Sequence, residues 1–140
     1  MSLDLVTFPC LCLHKSTMFT VRSRDALTTT TAAALRGGLF DNLKIVDSSG
    51  AEHLVRSARK LHGVGRFWGY NLFLNQRIRV ALDVLPTART YTVDELRKLV
   101  MGDFKTWHGW SSRADFKQLE SSVLRASSSA EILRLVTAGT

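Results

Sequence analysis

The chain has 140 residues, of which 45% are apolar and 22% charged, the balance of one folded domain rather than a disordered segment. No stretch approaches the ~18 consecutive apolar residues of a membrane-spanning helix, and two Cys in a Cys-X-Cys pair exclude a disulfide-dense scaffold, which points to the reducing cytoplasm. Nineteen Lys and Arg against twelve Asp and Glu give a net charge of +7, which favours an acidic partner.

Residues 1–17 read as an N-terminal extension and residues 18–140 as a single domain. Leu3, Leu5, Val6, Phe8, Leu11 and Leu13 are apolar, yet Pro9 interrupts them and no basic residue precedes Lys15. The stretch therefore lacks the positive start and unbroken core of a secretory signal, and Met18 stands as an alternative start. The Thr, Ser, Ala and Arg content of residues 16–36 is that of a mitochondrial transit peptide, a reading that Asp25 and the apolar strand before it oppose. Met18–Val21 reads as that strand. Ser23 or Asp25 can cap a helix running to Arg36, where Gly37-Gly38 stops it, although Thr28–Thr31 are weak helix formers.

Leu43–Val46 reads as a strand, Asp47-Ser48-Ser49-Gly50 as a turn, and His53–Arg56 as the start of a return strand. Gly63–Gly69 reads as a loop. Tyr70–Leu74 and Arg77–Leu85 form a second hairpin about Asn75-Gln76, and Pro86 ends the strand region. Three helix starts follow. Thr92 with Glu95 is a capping box, ahead of an apolar face of Val93, Leu96, Val100 and Phe104. Ser112 with Asp115 opens a second helix with Phe116, Leu119, Val123 and Leu124 inward, and Ser128 with Glu131 opens a third that ends near Val136. Strands grouped before helices predict an α+β fold. The expected form is an antiparallel sheet of about four to five strands, with one N-terminal helix and three C-terminal helices packed on one face.

The charge is concentrated. Residues 52–79 hold Arg56, Arg59, Lys60, Arg66, Arg77 and Arg79 against Glu52 alone, while the flanking thirds are each close to balance. Phe67, Trp68, Tyr70 and Phe73 lie among these cations. Basic groups beside aromatics suit an acidic protein surface, where Arg and aromatics are the usual anchors, and suit nucleic acid through phosphate neutralisation and base stacking. A solvated sheet face with aromatics in the core would show the same pattern. The partner-binding candidates are Arg56, Arg59, Lys60, Arg66, Phe67, Trp68, Arg77 and Arg79.

No catalytic, metal or cofactor constellation stands beside this patch. Gly63-Val64-Gly65 leads into a strand rather than a helix and has no Lys-Ser/Thr pair, so it is not a nucleotide loop. Cys10-Leu11-Cys12-Leu13-His14 has metal-ligand chemistry without the second pair that structural zinc requires. His53 and His62 beside Lys60 are the residue types of a metal-free phosphodiesterase, but their spacing enforces nothing. Trp107-His108-Gly109-Trp110 joins two helices, either clamping that corner to the sheet or presenting an aromatic hot spot.

From Tyr91 to Val136 the chain runs aromatic-X-X-X-Glu-Leu, then Trp110-Ser111-Ser112-Arg113-Ala114-Asp115-Phe116, Leu119, Val123, Ala126-Ser127-Ser128 and Glu131-Ile132. This third of the chain resembles the C-terminal helices of small immunity proteins from bacterial toxin-immunity systems. The resemblance implies a compact α+β domain that binds a cognate toxin and blocks it. Immunity proteins against nucleases are commonly acidic, so a basic chain implies a toxin with an acidic face or one that is not a nuclease. The reading is a non-enzymatic protein-binding domain without cofactor. A nucleic-acid-binding accessory of RNA or the ribosome is the alternative.

Overall fold

The computed structural model describes residues 3–15, 17–63 and 77–138, apart from the side chain of His108. After a short 3-10 turn at Leu3–Leu5 come strand β1 (Cys10–His14), strand β2 (Thr17–Val21) and helix α1 (Arg24–Thr28). Strand β3 (Thr29–Thr31), helix α2 (Ala32–Arg36), strand β4 (Lys44–Val46) and the long strands β5 (Ala51–Gly63) and β6 (Arg77–Thr90) follow. Helices α3 (Val93–Thr106), α4 (His108–Ser111), α5 (Phe116–Arg125) and α6 (Ser129–Thr137) complete the chain.

The fold is α+β, and its sheet has six strands in the order β2-β1-β4-β5-β6-β3, every pairing antiparallel. That is larger than the expected four to five. The extra strands come from two places. Cys10–His14, read as part of an extension, forms β1 between β2 and β4, with Cys10, Leu11 and Cys12 wholly buried. Thr29–Thr31, expected inside one long helix, forms the edge strand β3 against β6. β-Branched side chains lose rotamer freedom in a helix and fit a pleated edge, so the Thr run splits the helix in two. Ser23 caps α1 through Ala26 N (3.2 Å) and Thr31 caps α2 through Ala34 N (3.1 Å).

Residues 22–28 alone separate β2 from β3, which lie at opposite edges. Six flat strands would hold those edges about 24 Å apart, whereas the five-residue helix α1 rises only about 7 Å. The sheet accordingly curls. Its interior holds Cys10, Cys12, Val21, Ile45, Val55, Ile78, Val80, Leu82 and Val84, closed over by Leu3, Val6, Leu27, Phe40 and Leu43.

A second core lies on the opposite face of β1 and β4. Leu11 and Val46 meet Leu96, Val100 and Phe104 of α3, Leu119 and Val123 of α5, and Ile132, Leu133 and Val136 of α6. Helices on a single face were expected. Both faces of β1 are instead buried, its Cys side chains inward and its Leu side chains outward against the C-terminal helices. Two further corrections concern the helical third. Leu124 is 55% exposed rather than inward. Ser112 does not cap α5: its hydroxyl donates to Gly109 O (3.0 Å), while Asp115 is held by Arg113 (3.0 Å).

Pro86 does not end the strand region either. It pairs with His53 within β6, on a stretch that β3, reaching only residues 77–79, leaves at the edge. A missing N–H costs no ladder bond there.

Candidate protein-binding surface

The outward face of the β5–β6 hairpin lies beyond the C-terminal helices. Among the described residues, neither core includes an outward-facing side chain of this hairpin. The pairings Ser57↔Asp83, Arg59↔Ala81 and His62↔Arg79 set the parity: Ile78, Val80, Leu82 and Val84 point inward, so Arg77, Arg79, Ala81 and Asp83 point outward together with Arg59. Lys60 pairs with inward-facing Val80 and falls on the other face. Three of the candidate cations thus share a face by register, and one does not.

The bulges at Arg56 and Leu61 bear on this arrangement. A bulge adds a residue to one strand, so each resets which side chains face out. Arg56 sits between the Val55 and Ser57 pairings and donates from Nε to Asp83 Oδ2 (2.8 Å). That guanidinium holds the Asp83 carboxyl below the usual carboxylate range. Arg79 donates from Nη1 to Asp25 Oδ1 and to the Thr28 hydroxyl, both at 3.1 Å, which ties β6 to α1. Arg59, Lys60 and Arg77 are exposed and have no carboxylate partner among the described residues. The surface therefore carries both signs, with a cationic excess toward the far end of the hairpin. Arg66, Phe67 and Trp68, with the strand expected at Tyr70–Leu74, lie outside the described residues.

The remaining candidate chemistry resolves into structure. Asp47 is buried and accepts five hydrogen bonds: from Ser49 N (3.0 Å), Ser49 Oγ (2.6 Å), Ala51 N (3.1 Å), Thr7 N (3.4 Å) and His53 Nε2 (3.0 Å). Burial pushes its carboxyl up, but the donors from Ser49, His53 and Thr7 outweigh that and hold it below its ordinary value. Since Nε2 faces a carboxylate it carries a proton, and Nδ1 is buried with no partner among the described residues. This network fixes the β4–β5 turn and joins it to residues 7–9, where Ser48 Oγ also donates to Pro9 O (2.6 Å). His62 stands nine residues along β5, about 25–30 Å from His53 at strand rise. These two imidazoles do not meet as a base–acid pair. Cys10 and Cys12 are wholly buried, and His14 Nε2 contacts Gly38 O at 3.0 Å.

A second surface was only half visible in the sequence. Trp110 is 5% exposed, donates from Nε1 to Asp103 Oδ2 (2.6 Å) and packs edge-on against Phe104 at 4.9 Å. It clamps the α3–α4 corner. Trp107 is 60% exposed and lies over Gly109, where a Cβ would stand 2.5 Å from its ring. Between Trp107 and β2 runs a groove of about 630 Å³, lined by Thr17–Thr20, Asp103, Thr106, Gly109, Trp110 and Arg113. The tryptophans signalled the corner; the uncharged Thr-Met-Phe-Thr-Val of β2 was the overlooked signal of an open edge.

Comparison with protein-family models, with curated proteins and with solved structures finds no match to this chain. The two surfaces stand on their own geometry.

Proposed function

We propose that this chain is a non-enzymatic protein-binding domain that meets an acidic partner with the outward face of the β5–β6 hairpin. The observation that supports this is the sheet face left uncovered by both cores, on which strand parity places Arg59 and Arg77 with the neutralised pairs Arg56–Asp83 and Arg79–Asp25. A face of mixed sign with a cationic excess suits a protein surface, where charge complementarity fixes register and speeds encounter. In the immunity-protein form of this reading, the partner is a toxin that presents carboxylates. No helix among the described residues is long and apolar enough to cross a membrane.

Arg59 and Arg77, which have no carboxylate partner among the described residues, favour a second reading, nucleic-acid binding through phosphates. The two carboxylates on the same surface are each paired with an arginine and bear alike on both kinds of acidic partner. Anisotropy titrations of the labelled protein with polyglutamate, single-stranded RNA and duplex DNA separate the two. The proposal expects polyglutamate to bind in preference at physiological salt, and Arg59→Glu/Arg77→Glu to weaken it about tenfold or more without a change in Tm. Tight RNA or DNA binding with a steep negative salt slope would overturn it.

A further inference from the structure

The groove between β2 and the α3–α4 corner lies apart from the hairpin face, and its chemistry has the opposite sign. Its volume of about 630 Å³ is that of a small-molecule site. Aromatic side chains supply part of its wall, Phe19 on β2 and Trp107 and Trp110 at the corner. The two indoles stand nearly perpendicular, at 83° with ring centroids 6.0 Å apart. Trp110 is already engaged, with the Arg113 guanidinium 5.5 Å from its ring centroid. Trp107 is largely exposed, yet its ring is seated over Gly109, where a Cβ would collide with it. An indole held in place with its surface open is a ready face for a cation.

Among the described residues, the charged groups in the lining are Asp103 and Arg113. Arg113 is neutralised, its Nε and Nη2 each donating to an Asp115 oxygen at 3.0 Å. Asp103 is half-buried, and its Oδ2 accepts the Trp110 indole N–H at 2.6 Å. No described Lys or Arg pairs with Asp103, so the lining carries a net negative charge beside an open aromatic face. The cationic excess of the chain lies at residues 52–79, and none of the described ones lines the groove. We propose that the groove binds a small organic cation whose charge is sheathed in methyl groups, a quaternary ammonium compound. Its head rests on the Trp107 ring beside Asp103, and its body lies along Thr17–Thr20. Methyl groups loosen the hydration of the charge and suit apolar walls. A primary ammonium brings three N–H donors, and a metal ion needs several oxygen ligands, to a lining with one available carboxylate. Free choline and the headgroup of phosphatidylcholine share this chemistry, and the test separates them.

The probes are choline, its uncharged isostere with carbon in place of nitrogen, and ethanolamine, each titrated into isotope-labelled protein and followed by NMR. Choline is expected to bind at least about tenfold more tightly than either of the others. It should shift the Trp107 indole N–H and the amides of Thr17–Thr20. Trp107→Ala should weaken choline about fivefold or more while leaving the melting curve unchanged, as the indole is largely solvent-exposed. Asp103→Asn keeps an oxygen for the Trp110 N–H and should cut the preference for choline over the isostere about fivefold or more. Phosphatidylcholine vesicles are the second arm: binding of choline and vesicles supports a headgroup site, and binding of choline alone supports a site for the free cation. Arg59→Glu/Arg77→Glu should bind choline as the wild type does, so failure here and failure of the hairpin reading are told apart. Equal affinity for choline and either control, an unmoved Trp107 indole resonance, or an undiminished preference in Asp103→Asn would each overturn the site. So would vesicle binding without choline binding.

Discussion

Asp47 shows how a single residue holds distant parts of the chain together. Its two oxygens receive donors from its own turn, from His53 on β5 and from Thr7 ahead of β1. Hydrogen bonds to a buried charge are among the stronger polar contributions, and removing the charge leaves buried donors unmet. Asp47→Asn is expected to cost about 2–3 kcal/mol at pH 7, measured by urea unfolding. The pH dependence has a definite sign. The folded-state pKa lies below the ordinary value, so the folded protein binds fewer protons through that range. Its contribution is complete above the unfolded value and is lost as pH falls through the folded one. The gap between wild type and Asp47→Asn should accordingly close below about pH 4. A gap that stays constant into acid would show that Asp47 stabilises by shape and not by charge. Gly50 supports the same turn: its φ is +87°, and a Cβ there would stand 2.6 Å from Tyr91 O.

At the scale of elements, the sequence spoke clearly wherever a side chain closes a local hydrogen bond. Thr92 and Glu95 form the reciprocal box at 3.1 Å each, and Ser128 caps α6 through Glu131 N at 3.1 Å. Thr92→Ala should therefore cost about 1 kcal/mol, and Thr92→Ser should restore most of it, both read from thermal melts. An unchanged melt for Thr92→Ala would mean that packing of Leu96, Val100 and Phe104 alone sets α3. Elements fixed by distant partners were harder to read. Ser112 and Asp115 have the spacing of a cap, yet Asp115 is taken by Arg113 and Ser112 by Gly109. The Thr run became a strand only because β6 offers it an edge. β1 was read as an extension for a related reason. A strand buried on both faces carries no polar alternation, so Cys10–Leu13 shows a continuous apolar run in place of the period-2 signature.

At the scale of the whole molecule, the curl of the sheet and the placement of the helices decide which surfaces remain open. The C-terminal helices pack on β1 and β4 and leave the outer face of β5–β6 uncovered. The charge bias of residues 52–79 made that surface legible as a composition. Its geometry was not, because strand parity depends on two bulges that composition does not reveal. The separation of Lys60 from Arg59 and Arg77, and the capture of Arg56 and Arg79 by carboxylates, follow only from register and long-range contact. The groove along β2 depends still more on assembly, since its walls come from residues about ninety positions apart.

The central claim, an acidic protein held on the hairpin face, is tested most directly by a photo-crosslinking side chain at Ser57. That position is exposed, faces outward opposite Asp83 and leaves every cation in place. A second crosslinker at exposed Gln118 on α5 serves as the control. The account predicts that irradiation in cells captures one acidic protein from Ser57 and not from Gln118, and that Arg59→Glu/Arg77→Glu abolishes the product. Capture of nucleic acid from Ser57, or the same products from both positions, would contradict it.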